Sequence, residues 1–551
     1  MSPNPVEKSA LDSEAQIVSE ERREVFIKQL EWIIAIILSA AVLFCLVLRT
    51  LNAGALWRDE CDSLQLARMP RFGDVLEYLH FTAFPILFPT VVRVYTTLFG
   101  TSDIALRCFG LAVGILFLGV AWFQARSSSR AVPLLVPALI GLNANFLSAG
   151  LWLRGYGLGC VLLLLAFALT ARFLREPDTA KLVAVFFGYL ASVQCLYFNG
   201  VLVAAMVFAA TSVLWMRGEW KWMWRLLAAA IICGLSYLPY VLEVFSSTIG
   251  WAVLMQRPFS WNWAVERLRS ACAADGIAQW LWGGIVVLCC VSGVWRLRII
   301  RRTNGRAERD LLLFGLLTIL IGMVAQMGFL RLMQNIIMPR YYLSLISLIA
   351  GASTLIAANN AARWWLYFGR PALIVMVTAL VFFSPRDELR ARNSNIDTIA
   401  QRLAKEAHPS DLIVLSDAQL GISFNHYYHG TSRWMTVPQI ADHRIHRYDL
   451  LQKKMVEFFP LDDVEKEIAA TLKSGNRVWI LGGRMGRSAR VLTSAPDPQF
   501  GWQLPYYMVW WSHQLADFLQ QHATRLDVIV REGKSTSRWE NVQLVACEGW
   551  R

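Results

Sequence analysis

The sequence predicts a polytopic α-helical membrane protein that carries an α/β domain at its C-terminal end. Of its 551 residues, 56% are hydrophobic and only 17% are charged, whereas about a quarter of the residues of a soluble domain are charged. The chain also contains eleven apolar runs of about the length that crosses a bilayer. After Pro385 these long runs stop, and a mixed, charged sequence follows.

The eleven predicted spans lie between residues 31 and 384. A hydrocarbon core about 30 Å thick requires roughly 20 apolar residues in a helix. On that criterion the predicted spans are 31–50, 104–124, 132–150, 156–173, 182–198, 200–216, 226–246, 277–295, 311–330, 341–358 and 364–384. Residues 1–28 are polar, and we expect them to form a cytoplasmic tail before an uncleaved first span.

The apolar stretch 84–100 decides the orientation, because it is short and contains Arg93. If this stretch does not cross the membrane, five loops that carry sixteen Lys and Arg residues against five acids all lie on one side: 125–131, 172–181, 217–225, 296–310 and 359–370. The positive-inside rule makes that side cytoplasmic. We therefore predict that 84–100 is a helix on the outer membrane surface, within a first extracytoplasmic loop that covers 51–103.

The same orientation places the C-terminal part outside the membrane. Residues 29–384 then form the transmembrane module, and residues 385–551 form an extracytoplasmic α/β domain. Short apolar runs at 412–416 and 478–483 predict strands, and an apolar periodicity at 396–407 predicts a helix. The excess of bases over acids, 53 against 40, is explained by cytoplasmic loops, so no nucleic-acid partner is predicted. The ten cysteines contain no CxxC pair and predict neither a disulfide framework nor a metal site.

The stretch LWRDECDSLQLAR, residues 56–68, puts three carboxylates directly after the first predicted span. Acids at such a place commonly face only solvent. Several cations are predicted on the same outer face, among them Arg154 beside Tyr156, Arg340 beside Tyr341, and Arg257. Cations that face carboxylates at a membrane surface suit a substrate that combines an anionic phosphate with a hydroxyl group to be deprotonated.

These stretches also carry a family resemblance. LWRDECDSLQLAR resembles the acidic motif after the first helix of polyprenyl-phosphate-sugar-dependent membrane glycosyltransferases of the GT-C fold, a class that includes protein O-mannosyltransferases and the lipid A aminoarabinose transferase. Three further stretches resemble the family's motifs in the expected order, over residues 30–360: His80 with FPILFPTVVRVYTTLFGTSDIALR, then LSAGLWLRGYGLGCVLLLL, then MPRYYLSLISLIA.

The sequence departs from the family pattern at three points. Asn199 stands where the family often has a histidine, and the tandem prolines that usually follow the position of His80 are absent. The second outer loop, 150–156, contains no carboxylate, so a metal ion bridged between two acidic loops is unsupported. A divalent metal stays possible, and no other cofactor is required by the resemblance.

The resemblance implies a GT-C-like fold and an inverting sugar transfer from a polyprenyl-phosphate donor to a hydroxyl group of a lipid, polysaccharide or protein, on the outer face of the cytoplasmic (inner) membrane. Asp59 would be the general base, and Glu60 would orient the acceptor or support Asp59. Asp62 is expected to face solvent. The donor phosphate would be bound by a cationic and aromatic set: Arg154, Tyr156, Arg340 and Tyr341. Further substrate contacts are predicted for His80, Asn199 and Arg257.

Two other interpretations of the protein's function are compatible with the sequence. A transporter or flippase of lipid-linked substrates would have no transferase chemistry, but it should distribute polar residues through the middle of its helices. Here the polar groups gather at one face, which favours an enzyme. A scaffold whose outer domain binds a partner would leave the order of the motifs unexplained. In that domain, His426 and His429 with Asp442 and His443 could suggest a metal site, but the pair lacks a placed third ligand.

Overall fold

The computed structural model describes residues 5–82, 84–129, 131–240, 254–273, 276–300, 306–360, 362–383, 387–482, 504–537 and 539–551. Long apolar helices form a bundle up to Phe382, and a five-stranded sheet with its own helices lies in the C-terminal part. The predicted fold class, a helical membrane protein with a C-terminal α/β domain, is confirmed.

Nine helices of the described chain are long and apolar enough to cross a membrane, and each matches a predicted span. They are Glu24–Asn52, Asp103–Ser127, Gly155–Arg175, Phe198–Arg217, Trp220–Tyr240, Gly276–Ile300, Arg306–Met333, Pro339–Ala358 and Trp365–Phe382. The predicted end of one span, at 241–246, lies outside the described residues. The first of these helices begins at Pro5, so the predicted tail 1–28 is largely helical.

Two shorter apolar helices and several short helices complete the bundle. The predicted span 182–198 is the helix Thr179–Cys195, whose 17 residues are slightly fewer than a bilayer usually requires. The stretch 84–100 contains the 13-residue helix Leu87–Phe99, and its position on the membrane surface stays a prediction. Before it, the first loop forms the helices Arg58–Ala67 and Phe72–Glu77 and the short turn Leu79–Phe81. The helix Trp261–Cys272 lies between the fifth and sixth long helices.

The sequence predicts one continuous span over 132–150, but the structure breaks this segment in the middle. Two π-helical turns, Pro137–Gly141 and Phe146–Gly150, are separated at Leu142 and Asn143. The Asn143 side chain accepts the backbone N–H of Asn145 (2.8 Å) and donates to two carbonyl oxygens of the helix Trp261–Cys272. These bonds replace the helical hydrogen bonds that are lost at the break, so the interruption leaves few backbone groups unpaired.

The basic loops meet at one end of the bundle, as the sequence predicts. An ion pair joins two of them, Arg217 with Asp310 (2.7 Å), and Arg296 pairs with Glu308 (2.7 Å) within one loop. Glu31, near the start of the first long helix, pairs with Arg370 at the start of the last one. The stretch LWRDECDSLQLAR lies at the opposite end of the first helix. The two ends of the bundle are therefore chemically distinct, and the assignment of the basic end to the cytoplasm stays a prediction.

The sheet of the C-terminal domain has the strand order β2-β1-β3-β5-β4. The strands are β1 (Leu412–Leu415), β2 (Arg433–Thr436), β3 (Val478–Leu481), β4 (Ala523–Val530) and β5 (Leu544–Trp550). β1 is parallel to both β2 and β3, whereas β5 is antiparallel to β3 and β4. The apolar strands β1 and β3 are buried on both faces, because helices cover them. These helices are Ile396–Glu406, Leu420–Tyr427, Tyr448–Val456, Asp462–Lys473 and Leu504–His522.

The first loop of the bundle packs directly on this sheet domain. Leu66, Met69 and Val75 of the loop share one buried cluster with side chains of β1, β3 and the helix Leu504–His522. The phenol of Tyr427 also donates to Asp103 (2.9 Å) and accepts the backbone N–H of Leu56 (2.7 Å). The start of the loop after the first span is therefore enclosed between the bundle and the sheet domain, and its carboxylates Glu60 and Asp62 are buried.

We expect the sheet domain to be extracytoplasmic. Alkaline phosphatase fused after Arg551 should be active and a fluorescent protein fused there should be dark, because phosphatase folds outside the cytoplasm. The same reporters inserted at Gly218, in a basic loop, should give the opposite pattern. An active fluorescent protein at the C-terminus together with an inactive phosphatase would contradict the predicted orientation.

Candidate active site

The acidic motif forms a short helix, Arg58–Ala67, which we call the acidic helix. Its first turn contains Asp59 and Glu60, and carboxylates there interact favourably with the positive end of the helix dipole. Helical spacing places Asp59, Asp62 and Ser63 on one face, three and four residues apart, while Glu60 points elsewhere. The three carboxylates of the motif therefore have different surroundings.

Glu60 is fully buried, and both of its carboxylate oxygens are hydrogen-bonded. One oxygen accepts from Arg107 (2.6 Å) and from the backbone N–H of Leu153 (2.9 Å). The other accepts from the backbone N–H of Trp57 and from Asn393 of the sheet domain, each at 3.2 Å. Glu60 therefore links the loop, the bundle and the sheet domain, and it has no free oxygen for an acceptor.

Asp62 was expected to face solvent, and this expectation is wrong. Its side chain is buried; one oxygen lies 3.3 Å from Arg154, and the other accepts the backbone N–H of His446 (2.9 Å). No local pattern in the sequence indicates this burial, because His446 is 384 residues away along the chain.

Arg154 is committed to the acidic helix. Its guanidinium donates to the backbone carbonyl of Asp59 (2.9 Å) and to Ser63 (3.1 Å), and it also lies against Asp62. The ring of Phe84 covers it at 4.6 Å. All three of these polar contacts use the Nη1 atom, and the Nε atom is buried without a hydrogen-bond partner among the described residues. The role of Arg154 as a direct phosphate ligand stays a prediction. Tyr156 is buried beside it and packs against Phe84 and Tyr341.

Asp59 is the carboxylate of the motif that reaches a cavity. Its side chain is 13% exposed and lines a cavity of about 420 Å³ between the bundle and the sheet domain. Burial raises the pKa of the Asp59 carboxyl, but Arg154, His446 and Arg58 lower it more, and the net pKa is below the ordinary value. The carboxylate is therefore ionised at neutral pH, with its oxygens 3.8 Å from Arg154 and 3.4 Å from the His446 imidazole.

Arg340 lines the same cavity and has a different environment. Within the described residues it makes no ion pair, and its Nε and Nη1 atoms are buried without a hydrogen-bond partner. Five aromatic rings lie 5.2–6.0 Å from its guanidinium carbon: Trp57, Trp152, Tyr156, Tyr341 and Trp539. An unpaired guanidinium in such an enclosure favours an anionic ligand. Tyr341 also lines the cavity.

The structure does not bring the other predicted substrate contacts to this cavity. His80 packs against the ring of Phe81 (3.9 Å), and Arg257 packs on Trp263 (4.2 Å). Asn199 is buried in the bundle, where its amide donates to Gly159 and Ser192 of two neighbouring helices. Their predicted roles rest on the sequence alone.

Several residues of the site were missed by the sequence analysis. His446 and Asp417 come from the sheet domain, and Asp417 pairs with Arg58 (3.2 Å) at the start of the acidic helix. Trp539 covers Arg340 from the same domain. No local pattern marks these residues, because each meets the acidic helix or Arg340 only through the tertiary fold. Within the described chain, no group of three or more His, Cys, Asp or Glu residues is arranged to bind a metal ion.

No protein-family model and no curated protein matches the sequence. Among solved structures, the chain is similar to ArnT from Cupriavidus metallidurans bound to undecaprenyl phosphate (15% identity, 93% of this chain and 97% of that chain, TM-score 0.48). It is also similar to the oligosaccharyltransferase of Archaeoglobus fulgidus (10%, 82% and 69%, 0.47) and to the arabinofuranosyltransferase AftD from Mycobacteria (13%, 94% and 40%, 0.45). These are GT-C fold glycosyltransferases. At such identities and scores the similarities do not assign an activity.

We expect Glu60→Gln to destabilise the protein by about 3–5 kcal/mol, because it leaves the buried Arg107 without its charged partner. Thermal unfolding of the purified protein would show a lower transition temperature. Glu457→Gln is the matched control: Glu457 is exposed and pairs with Lys454 at the surface, so its loss should change stability by at most ~1 kcal/mol. Equal transition temperatures for the Glu60 variant and the parent would contradict the linking role.

Proposed function

We propose that the protein is an inverting membrane glycosyltransferase that moves a sugar from a polyprenyl-phosphate donor to a hydroxyl acceptor at the outer face of the cytoplasmic membrane. The observation that carries the proposal is that an ionised carboxylate, Asp59, and an unpaired cation, Arg340, line one cavity. A carboxylate can accept the proton of the acceptor hydroxyl, and a cation can stabilise the phosphate that leaves. The donor class, a polyprenyl-phosphate sugar, is inferred from the order of the sequence motifs.

Asp59 would act as the general base. The acceptor oxygen attacks the anomeric carbon while its proton moves to an Asp59 carboxylate oxygen, and the bond between that carbon and the phosphate oxygen breaks. The bonding electron pair leaves with the phosphate. A phosphate is already a good leaving group, so no acid is needed to protonate it, and one carboxylate suffices where glycosidases use two. A single displacement inverts the anomeric configuration.

Arg154, His446 and Arg58 would position Asp59 and keep it ionised. Each lies within 4 Å of the Asp59 side chain, and together they keep its pKa below the ordinary value. A lowered pKa weakens the carboxylate as a base, but it ensures that every molecule has the base in its active form at neutral pH. Arg154 is thus assigned to the base rather than to the phosphate.

Arg340 would bind the donor phosphate and stabilise the charge that accumulates on it. The guanidinium is fixed by the surrounding rings before the substrate arrives, so little reorganisation is needed during the reaction. Tyr341 lies beside Arg340 at the cavity wall and would contact the same phosphate. Glu60, which has no free oxygen, would act by stabilising the loop rather than by contacting the acceptor.

Asp59→Asn should lower transfer from a labelled polyprenyl-phosphate sugar by about 10²–10⁴-fold, since asparagine keeps the shape of the side chain but cannot accept the proton. Turnover in proteoliposomes measures this effect. Asp463→Asn, at an exposed position of the sheet domain, is the control and should retain parental turnover. Full turnover by a folded Asp59→Asn protein would falsify the base assignment. Movement of the lipid-linked sugar across the bilayer without transfer would instead favour the transporter alternative.

Arg340→Gln should weaken donor binding. A hydrogen bond to a charged group contributes about 1.5–3 kcal/mol, so the affinity for polyprenyl phosphate should fall roughly tenfold to a hundredfold. Titration calorimetry of the protein in nanodiscs measures the affinity. Arg331→Gln removes an exposed cation near the same end of the bundle and does not touch the cavity. An equal loss of affinity in both variants would show a general electrostatic effect and would contradict a specific phosphate site at Arg340.

A further inference from the structure

The sheet domain contributes a distinct part of the cavity that contains Asp59. The residues directly after β1 and β3, Ser416 with Asp417 and Gly482, line this part. β1 lies between its parallel neighbours β2 and β3. The chain leaves β1 toward β2 on one side and later returns to β3 on the other side, so the order of the strands reverses at β1. Open α/β sheets bind ligands in the crevice at the carboxyl ends of strands at such a point. We call this part of the cavity the strand edge.

The strand edge has hydrogen-bonding groups that are not all satisfied. Gln419 is 5% exposed and lines the cavity, and its Nε2 atom has no hydrogen-bond partner among the described residues. The hydroxyl groups of Ser416 and Ser512 lie 2.8 Å apart, and His513 and Asn541 line the same region. Burial of an N–H group without a partner is unfavourable, because the group loses its hydrogen bond to water. The amide of Gln419 therefore indicates a ligand that accepts its hydrogen bond.

The charges at the strand edge favour a neutral ligand over an anion. The helix Leu420–Tyr427 begins here, but Asp417 already accepts the backbone N–H of Gln419 (2.8 Å) at its positive end. Asp417 also pairs with Arg58 (3.2 Å), so that cation is neutralised too. The hydroxyl and amide groups of the strand edge can both donate and accept hydrogen bonds. This set matches the hydroxyl groups of a sugar.

The strand edge continues the cavity wall that carries Asp59. Arg58 joins the two, because it lies 3.7 Å from Asp59 and 3.2 Å from Asp417. In a single displacement the acceptor oxygen approaches opposite the leaving phosphate and must reach the base. Arg340 also lines a second cavity of about 600 Å³, but Asp59 does not line it. An acceptor that must reach the base therefore lies in the cavity that contains the strand edge, while the donor phosphate lies at Arg340 among aromatic rings that belong mainly to the bundle.

We propose that the strand edge binds the acceptor, and that the acceptor presents a neutral sugar there, bound by Gln419, Ser416 and Ser512. This proposal rests on the proposed function, because it takes Asp59 and Arg340 as the base and the phosphate site. The sheet domain would then select the acceptor, while the bundle binds the donor.

Binding of methyl glucoside, a neutral sugar probe, tests the proposal on the full chain in lipid nanodiscs by saturation-transfer NMR. The parent should bind it, and Gln419→Leu and Ser512→Ala should each weaken binding roughly threefold to tenfold. Gln520→Leu, at an exposed position of the same helix as Ser512, is the matched control and should bind like the parent. Thermal unfolding identifies a misfolded variant; if Gln419→Leu does not fold, Ser512→Ala decides.

Competition experiments identify which substrate binds at the strand edge. For an acceptor site, methyl glucoside should stay bound in the presence of polyprenyl phosphate and of polyprenyl-phosphate glucose. Displacement by the glucose conjugate alone would assign the strand edge to the donor sugar, and displacement by inorganic phosphate would assign it to an anion; either result overturns the proposal. So does a parent that does not bind the probe, or variants that bind as the parent does.

Failure of the proposed function has a separate signature. Normal turnover by Asp59→Asn would reject the transferase mechanism, but it would leave the binding of methyl glucoside at the strand edge measurable. Loss of sugar binding with intact dependence of turnover on Asp59 would reject only the acceptor site.

Discussion

The contact of Arg154 with the acidic helix is the interaction on which the site depends. Its guanidinium donates to the Asp59 carbonyl and to Ser63, and it lies against the carboxylates of Asp59 and Asp62. Burial of these carboxylates would be costly without a cation of this geometry. Arg154 directly precedes the long helix Gly155–Arg175, so the bundle fixes the position of Asp59, the proposed base. Asp62 also accepts the backbone N–H of His446, so the same cluster attaches the sheet domain.

The charged residues of the site fall into two groups, those whose partners lie within the protein and those that face the cavity. Glu60 and Asp62 have all their oxygens occupied by partners within the protein, whereas Asp59 has an ionised side chain at a cavity wall. Within the described residues, Arg154 lies against two carboxylates and Arg340 pairs with none. In the proposed function, the first arginine holds the base in place and the second is available to the substrate. Preorganisation of this kind is how enzymes stabilise a developing charge without moving at the moment of reaction.

The sequence could predict the parts of this account that depend on local pattern. Apolar runs located the long helices, and the basic loops predicted which helix ends lie together. The acidic motif and Arg340 were identified from their positions beside the spans. Contacts between distant segments could not be predicted in this way. The break at Asn143 depends on carbonyl groups of the helix Trp261–Cys272, and the burial of Asp62 depends on His446. For the same reason the pairing of Arg154 with the acidic helix could not be predicted, because it appears only in three dimensions.

In the proposed function, Asp59 and Arg340 act on one substrate in one cavity. The decisive experiment is a structure of the protein with polyprenyl phosphate bound. We expect density for the phosphate within hydrogen-bond distance of the Arg340 guanidinium, in the cavity lined by Asp59, with the lipid chain extending toward the bundle. Phosphate density at another site, with Arg340 still unpaired, would contradict it.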